Sequence, residues 1–322
     1  MPDPRRYSVG IVNHGTFDDL ENCIESVEAQ TCSAARVAVW DTGVDPERLS
    51  KIAARFPSVT FLGGENRGYA GGANGVIQTL VGKSPPDFVL VLNPDIVLDP
   101  DFAEILIGQS VDASEVAIAT GKLLRPDRRT IDSAGIRFPR HRRPRDRGSE
   151  EEDRGQYDVA ERVEGASGAA MWIRVAAIET LEIEGELFDE SFFAYHEDTD
   201  LCWRARRLGF DVLYAPAAVA IHARGWQKSE RMQVPESIRR HSFKNHYLQV
   251  VKNETRGGLL RNLPWLLGWE VLRLGFVLLR DRDLLPAYRD AFELLGTAFR
   301  RRRLLNEKVR DRSHLAASQR SD

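Results

Sequence analysis

Asp87-Phe88-Val89-Leu90-Val91-Leu92-Asn93-Pro94-Asp95 runs apolar and then stops on a polar corner. Asp87 to Leu92 has no polar alternation and reads as a strand buried on both faces. Asp95 therefore stands at the C-terminal end of a buried strand, where open α/β sheets bind ligands. About a hundred residues later, His196-Glu197-Asp198-Thr199-Asp200 places a cluster of carboxylates at the start of a helix.

Working outward from this strand, the chain alternates. Tyr7 to Val12 reads as strand one, and Leu20, Cys23, Ile24 and Val27 form one helical face behind a Thr16 cap. Arg36 to Trp40 is strand two, Pro46 to Phe56 a helix opened by proline, Val59 to Leu62 strand three, and Ala70 to Val81 a helix. After the Asp87 strand come a helix at Phe102 to Ile107 and a strand at Val116 to Thr120. Gly168 to Ile173 is a further strand. Glu197 to Leu208 is a helix stopped by Gly209, and Asp211 to Tyr214 and Val219 to His222 are two short strands. This spacing implies an α/β fold with a mostly parallel, doubly wound sheet flanked by helices. Beyond Pro235 the pattern is helical throughout, so the chain divides into residues 1–235 and a helical extension, 236–322.

The composition is that of a globular protein: 322 residues, 42% hydrophobic and 29% charged. No secretion signal is read before Tyr7, and Cys23, Cys32 and Cys202 have no metal-like spacing, so a reducing, cytoplasmic setting is expected. The net charge of −3 hides an asymmetry: residues 236–322 carry 18 Lys/Arg against 10 Asp/Glu. A basic extension on an acidic body suggests an anionic surface as partner, with no nucleic acid implied.

Two segments stand apart. Residues 137 to 158, with six arginines followed by Glu150, Glu151, Glu152 and Asp153, read as a long mobile loop, either disordered or a lid over an anionic ligand. Asn262 to Leu279 is very apolar but holds Glu270 and Arg273, each costly at a bilayer centre. It fits an interfacial amphipathic helix, with Trp265 and Trp269 at headgroup level, or else a helix packed on the rest of the protein. With the Arg300-Arg301-Arg302-Arg303 run, it predicts binding to anionic membranes, peripheral at the inner face of the plasma membrane. If the tail only recruits the enzyme, removing residues 260 to 322 should spare its chemistry.

One carboxylate for a metal-bound diphosphate and another for a proton is what transfer from a nucleotide-activated donor needs. The stretch Gly63-Gly64-Glu65-Asn66-Arg67-Gly68-Tyr69-Ala70-Gly71-Gly72-Ala73-Asn74 adds a glycine-rich entry to a helix, where a phosphate can approach backbone. It is not G-x-G-x-x-G and does not follow strand one, which disfavours a dinucleotide dehydrogenase. In order, Val12-Asn13-His14, Trp40-Asp41-Thr42-Gly43, the glycine-rich stretch and Leu92-Asn93-Pro94-Asp95 resemble the inverting family 2 glycosyltransferases of GT-A fold. Gly168-Ala169-Ala170-Met171 is similar to the family's acceptor-side strand, and Phe188 to Arg204 to its base-bearing segment. Pro216, His222 and Gly225 fall where its closing strand and loop belong. The closest likeness is to rhamnosyltransferase-like members, over about residues 7 to 226.

The resemblance implies roles. Asn13 and Asp41 would meet the nucleotide base, and Arg67, Gly71, Asn74 and Asn93 the ribose or diphosphate. Asp95 matches the last position of the family's metal motif, and Asn93 replaces its first carboxylate. His222 looks like the second metal-side ligand. Mg²⁺ or Mn²⁺ would then be held mainly through the donor's phosphates, and an imidazole suits Mn²⁺ better. Asp198 is the implied general base, with Glu197 beside it. Glu197 and Asp200 would raise its pKa while the helix N-terminus would lower it. Gly168, Ala169 and Trp203 would lie on the acceptor side, and Asp189 and Glu190 would shape the loop before the site. The donor implied is a nucleotide sugar, dTDP-L-rhamnose, and the acceptor a glycan or lipid-linked glycan of a surface polysaccharide.

Two other classes are weighed. A sugar-1-phosphate nucleotidyltransferase would carry a glycine-rich Arg/Lys loop after strand one, where this chain has Asn13-His14-Gly15-Thr16. A non-catalytic nucleotide-sugar-binding or scaffold protein would tolerate Asn93. The Gln-x-x-Arg-Trp pattern of processive synthases is absent after the base helix, so one sugar per visit is expected.

Overall fold

The computed structural model describes residues 7–82, 84–223 and 234–318 of the chain. Its first half is a wound parallel sheet. Strands β1 (Tyr7–Asn13), β2 (Arg36–Asp41), β3 (Val59–Gly63) and β4 (Phe88–Leu92) lie in the order β3-β2-β1-β4, all parallel. Helices α1 (Phe17–Glu28), α2 (Pro46–Arg55) and α3 (Gly68–Val81) connect them. Asp45 caps α2 by accepting from the Arg48 amide, with Pro46 in the first turn. Thr16 precedes α1 as expected, but its hydroxyl donates to Asn13 Oδ1 instead of capping the helix.

The continuous apolar run of β4 has a direct cause. Val89 and Val91 enter the core beneath α3, while Phe88, Leu90 and Leu92 enter the core beneath α1. A strand covered on both faces cannot alternate apolar with polar.

The second half extends this sheet. It comprises β5 (Ile96–Leu98), α4 (Phe102–Ser110), β6 (Val116–Leu124), β7 (Ile131–Ser133), β8 (Ile136–Arg137), β9 (Arg145–Asp146), β10 (Glu161–Val163), β11 (Ala170–Arg174), α5 (Ile178–Leu181), α6 (Glu197–Arg207) and β12 (Asp211–His222). Strand β11 slots antiparallel between β4 and β6, with Ala170 opposite Leu92. Strand β12 runs parallel to β6, and β10 closes the edge. The two short strands expected at Asp211–Tyr214 and Val219–His222 are one strand whose register slips between Ala215 and Val219, around Pro216. Gly225 lies outside the described residues.

Residues 137 to 158 are not the mobile loop that their charge suggested. Strands β8 and β9 pair, Thr130 bridges Glu152, and Ile136 bridges Gly165. The buried Lys122 ammonium gathers Asp153 and Asp158, and Arg147 pairs with Glu161 while lying over the rings of Tyr157 and Tyr214. Part of this charge is thus neutralised inside a folded wall, while Arg137 and Arg145 stay exposed.

The extension comprises α7 (Glu236–Asn253), α8 (Arg256–Arg280) and α9 (Leu285–Ser318). Helix α7 packs on α6, and α9 on α7. Within the Arg300–Arg303 run Arg301 is buried and Arg302 half-buried, while Arg300 and Arg303 are exposed. Arg300 and Arg301 pair with Glu184, Arg301 also reaches Glu186 and Asp189, and Arg302 donates to the Val251 carbonyl. Removing residues 260 to 322 would therefore strip a buried cation from Asp189.

Helix α8 is long and apolar enough to cross a membrane. Glu270 and Arg273, the charged residues in the middle of the helix, however, face the protein, while Arg256, Arg261 and Arg280 towards its ends are exposed. Glu270 accepts from the hydroxyls of Tyr247 and Tyr288, and the Arg273 guanidinium donates to the Phe243 carbonyl and lies over the Phe243 and Tyr247 rings. The opposite face leaves Leu260, Val271 and Leu279 at 74%, 71% and 80% exposure. The helix thus turns Glu270 and Arg273 inward, beside the buried Val277, and leaves much of its apolar surface outward.

Candidate active site

Four strand ends define the site. Asn13, Asp41 and Asn93 sit at or just past the C-terminal ends of β1, β2 and β4, and Gly168-Ala169 lead into the antiparallel β11 beside them. All lie on the edge of the sheet where wound folds bind ligands. The register that sets Asn13 opposite Asp41 lets Asn13 Nδ2 donate to Asp41 Oδ2 at 2.6 Å. Asp41 Oδ1 accepts from the Gly43 amide at 2.8 Å, which fixes the turn after β2. Each carboxylate oxygen keeps a second lone pair, and both Asn13 and Asp41 are fully buried.

The glycine-rich stretch is built for packing more than for phosphate. A Cβ on Gly71 would fall 2.4 Å from Arg67 Cβ, and one on Gly72 would fall 2.7 Å from Val12 Cγ1. Gly68 has φ +70°, and a Cβ there would meet the Phe193 carbonyl oxygen at 2.2 Å. The Ala70 amide donates to that same carbonyl at 3.1 Å. The start of α3 is thereby tied to the segment before α6.

Asn74, expected on ribose or diphosphate, is engaged by the protein. Its amide donates to the Phe188 carbonyl at 2.8 Å and accepts from the Phe188 amide at 2.9 Å. That exchange matches a strand pairing and uses both ends of the side chain. Arg67 pairs with Glu190 at 3.1 Å, close to the Trp40 ring, and remains partly exposed.

Asp95 and His222 come together as expected. Strand β12 pairs with β5, just past Asp95, and sets His222 Nε2 3.4 Å from Asp95 Oδ2. The other ring nitrogen meets Asp132 Oδ2 at 2.7 Å, and Asp132 is held by Arg125. Burial disfavours charge on the ring, but Asp132 and Asp95 outweigh it and raise its pKa to about 9. If the ring gives up that proton to a cation, with Nδ1–H still donating to Asp132, Nε2 and the Asp95 carboxylate are close enough to serve a single cation. Among the described residues no cluster of three or more His, Cys, Asp or Glu could hold a metal ion by itself. The donor set thus fits a cation whose remaining ligands come from a diphosphate.

Asp198 occupies the first turn of α6 and is half-buried. Its Oδ2 accepts from the Gly168 amide at 2.9 Å and its Oδ1 from the Thr199 amide at 2.6 Å. Burial raises its pKa to about 6, against the lowering effect of these two amides. The direction that the sequence left open is upward, and its largest cause is burial rather than the Glu197 and Asp200 charges weighed there. A Cβ on Gly168 would lie 3.1 Å from Asp198 Cβ, a tight contact that glycine avoids; its carbonyl accepts from the Tyr69 hydroxyl at 2.7 Å. The Ala169 carbonyl accepts from the Asn93 amide at 2.9 Å, so the two halves of the site touch.

Glu197 is buried, and Oε2 has no hydrogen-bond partner among the described residues. Burial and the neighbouring Asp198 hold its carboxyl well above the usual range. Trp203 packs against Phe138, with ring centroids 4.9 Å apart, and under the Arg142 guanidinium.

The residues that hold this segment were not read from the sequence. Phe193, Tyr195 and His196 have φ of 66°, 71° and 69°, a run of left-handed non-glycine backbone immediately before Glu197 and Asp198. Asn245 of α7 braces it: Nδ2 lies 2.9, 2.9 and 2.7 Å from the carbonyls of Phe192, Ala194 and Tyr195. Gln249 accepts from the Thr199 hydroxyl at 2.8 Å, and Asn253 donates to Asp200 at 2.7 Å. The Lys252 ammonium, buried, bridges Asp189 and Asp200. Burial opposes ionisation of Asp189, but Lys252 and Arg301 outweigh it and hold its carboxyl far below the usual range. The only sequence signal was the spacing Asn245, Gln249, Lys252, Asn253 on one helical face, polar where a buried helix should be apolar.

Comparisons with known proteins follow this geometry. The model of the family described as "Glycosyltransferase like family 2" matches residues 4–258, past the boundary expected at 235 and through α7. Rhamnosyltransferase WbbL of Escherichia coli (strain K12) is 26% identical over 230 residues, covering 66% of this chain and 81% of that protein. The N-acetylglucosaminyl-diphospho-decaprenol L-rhamnosyltransferase of Mycobacterium tuberculosis (strain H37Rv) is 29% identical over 231 residues, covering 66% and 74%. A solved structure of GalNAc-T7 with UDP, GalNAc and Mn²⁺ superposes with a TM-score of 0.59 at 14% identity, over 77% of this chain and 48% of that one. That likeness is one of fold, GT-A. On the family match and the sheet that carries its motifs, this chain belongs to the family 2 glycosyltransferases.

Proposed function

We propose that this chain transfers a single sugar, L-rhamnose from dTDP-rhamnose, with inversion, to a hydroxyl of a lipid-linked glycan at the inner face of the plasma membrane. The observation that carries the reading is Asp198: half-buried, fixed by two backbone amides, and with a pKa raised to about 6 on the ligand-binding edge of the sheet. A carboxylate of that basicity is ionised near neutrality and is a better proton acceptor than an ordinary aspartate. It would take the acceptor hydroxyl proton as the oxygen bonds to the anomeric carbon, while the bond to the nucleoside diphosphate breaks on the opposite face.

Asn13 and Asp41 would meet the nucleotide base, and Asn93 and Arg67 the ribose and diphosphate. Asp95 and His222 would hold a divalent cation with the donor's phosphates. Bound there, it would offset the charge of the leaving diphosphate. The donor sugar and lipid-linked acceptor are supported by the names of the bacterial relatives. Membrane attachment is supported by α8, whose outward apolar face would enter the headgroup boundary while Glu270 and Arg273 stay in the protein.

The test is a turnover assay. The full chain, Mn²⁺ and dTDP-rhamnose are incubated with a synthetic lipid-diphosphate sugar, and the anomeric configuration of the product is read by NMR. Release of dTDP with an inverted product is expected. Retention of configuration, or donor binding without transfer to any acceptor, would reject the reading.

A further inference from the structure

The β8–β9 ladder sets Arg137 directly opposite Arg145. Both side chains are exposed, and both line a cavity of about 940 Å³. Like charges directly opposed across an antiparallel pair are destabilising. Nearby Arg125 pairs with Asp132, and Arg147 with Glu161. Among the described residues Arg137 and Arg145 form no ion pair. Among the described residues the cavity is lined by seven arginines, of which Arg239 is paired with Asp281, and three carboxylates, Asp146, Glu150 and Glu151. An opposed arginine pair inside a net-cationic cavity is unfavourable when empty and favourable around an anion.

The cavity's other walls narrow the choice of anion. At one side are Tyr195 and His196, immediately before the Glu197-Asp198 pair, and the charge of Asp146 reaches Asp198. At another are Trp269, Leu272 and Phe276 of α8, the helix whose outer face is apolar and exposed. The cavity therefore joins a guanidinium pair and a hydrocarbon wall, and its Tyr195-His196 side leads in sequence to the Glu197-Asp198 pair. Guanidinium forks match phosphoryl oxygens, and two opposed forks suit two linked phosphoryl groups better than one.

We propose that Arg137 and Arg145 are the diphosphate-binding pair of an acceptor site, taking a lipid diphosphate whose alkyl chain leaves along Leu272 and Phe276 and whose sugar hydroxyl reaches Asp198. The assignment rests on the reading of the chain as a transferase to a lipid-linked acceptor. It adds the place and the residues that read the diphosphate.

The experiment is calorimetry on the full chain without divalent metal, with farnesyl diphosphate as probe and farnesyl phosphate and inorganic pyrophosphate as controls. Farnesyl diphosphate should bind at least tenfold more tightly than either control. Arg137→Gln/Arg145→Gln should weaken it at least tenfold and Arg137→Lys/Arg145→Lys should recover part of the loss, while dTDP-rhamnose affinity, measured with Mn²⁺, stays within twofold. Removing two opposed cations should leave thermal stability unchanged or raised, so a loss of binding will not reflect unfolding. The proposal is overturned if the glutamine pair binds farnesyl diphosphate as wild type does, or if free pyrophosphate binds as tightly as the lipid. Because this measurement needs no turnover, a chain that binds as described yet transfers no sugar would fault the transferase reading alone.

Discussion

Asn245→Ala should uncouple the base from its support. Asn245 Nδ2 stands within 2.9 Å of three carbonyls, of which two can be served at full strength by its two hydrogens. A net hydrogen bond is worth ~1 kcal/mol, and a buried carbonyl left without a donor costs ~1–3 kcal/mol. The loss should therefore be about 2–4 kcal/mol. The segment it holds keeps Phe193, Tyr195 and His196 at positive φ. Such strain costs of order 1–3 kcal/mol per residue and persists only where the surroundings over-determine it. The two quantities are comparable, so the segment should relax, carrying the start of α6 with it. A displacement near 1 Å at a reacting group can cost ~100-fold. We expect kcat to fall between about tenfold and a hundredfold, with the donor KM within about threefold, and the melting temperature to drop by several degrees. Steady-state kinetics on a soluble acceptor and a thermal melt read both. Wild-type kcat with an unshifted melt would refute the argument that α7 holds the base in place.

Other perturbations test separate parts. Asp95→Ala should weaken donor binding chiefly in the presence of Mn²⁺; calorimetry showing equal losses with and without metal would mean that Asp95 does not act through a cation. Lys252→Met leaves Asp189 and Asp200 buried without their shared cation and should cost ~3–5 kcal/mol in urea unfolding; because the folded-state pKa of Asp189 is depressed, the stability that it contributes is present above about pH 4 and lost as the pH falls below. The full chain should sediment with anionic liposomes and retain part of that binding in high salt, since the exposed face of α8 is apolar and most of the Arg300–Arg303 run is occupied within the protein; indifference to liposomes at low salt would reject the membrane reading.

The parallel half of the fold was legible because each element carried its own period. The β4 run, the α1 stripe of Leu20, Cys23, Ile24 and Val27, and the Asp45-Pro46 helix start are local signals. The antiparallel additions were less so. Strands β7 to β10 are two or three residues long, and their pairing depends on partners far along the chain. Residues 137–158 looked mobile because their charges do not show which neighbours neutralise them; Lys122, Tyr157 and Tyr214 do so only once folded. In the site, the pairing of Asp95 with His222 follows the family pattern, whereas the engagement of Asn74 by Phe188 does not. The brace from Asn245 to Asn253 was hidden for the same reason: a polar helical face looks solvated until the strained segment beneath it is known.

The account turns on Asp198 as the base of sugar transfer, and the pH dependence of kcat/KM for wild type and Asp198→Asn tests it most directly. With a pKa near 6, the wild-type rate should climb about tenfold per pH unit below that value and level off above it. The asparagine variant should bind donor normally, lose turnover by at least about a hundredfold, and lose that limb of the profile. A wild-type rate flat from pH 5 to 7, or a folded variant that keeps near wild-type turnover, would contradict the assignment.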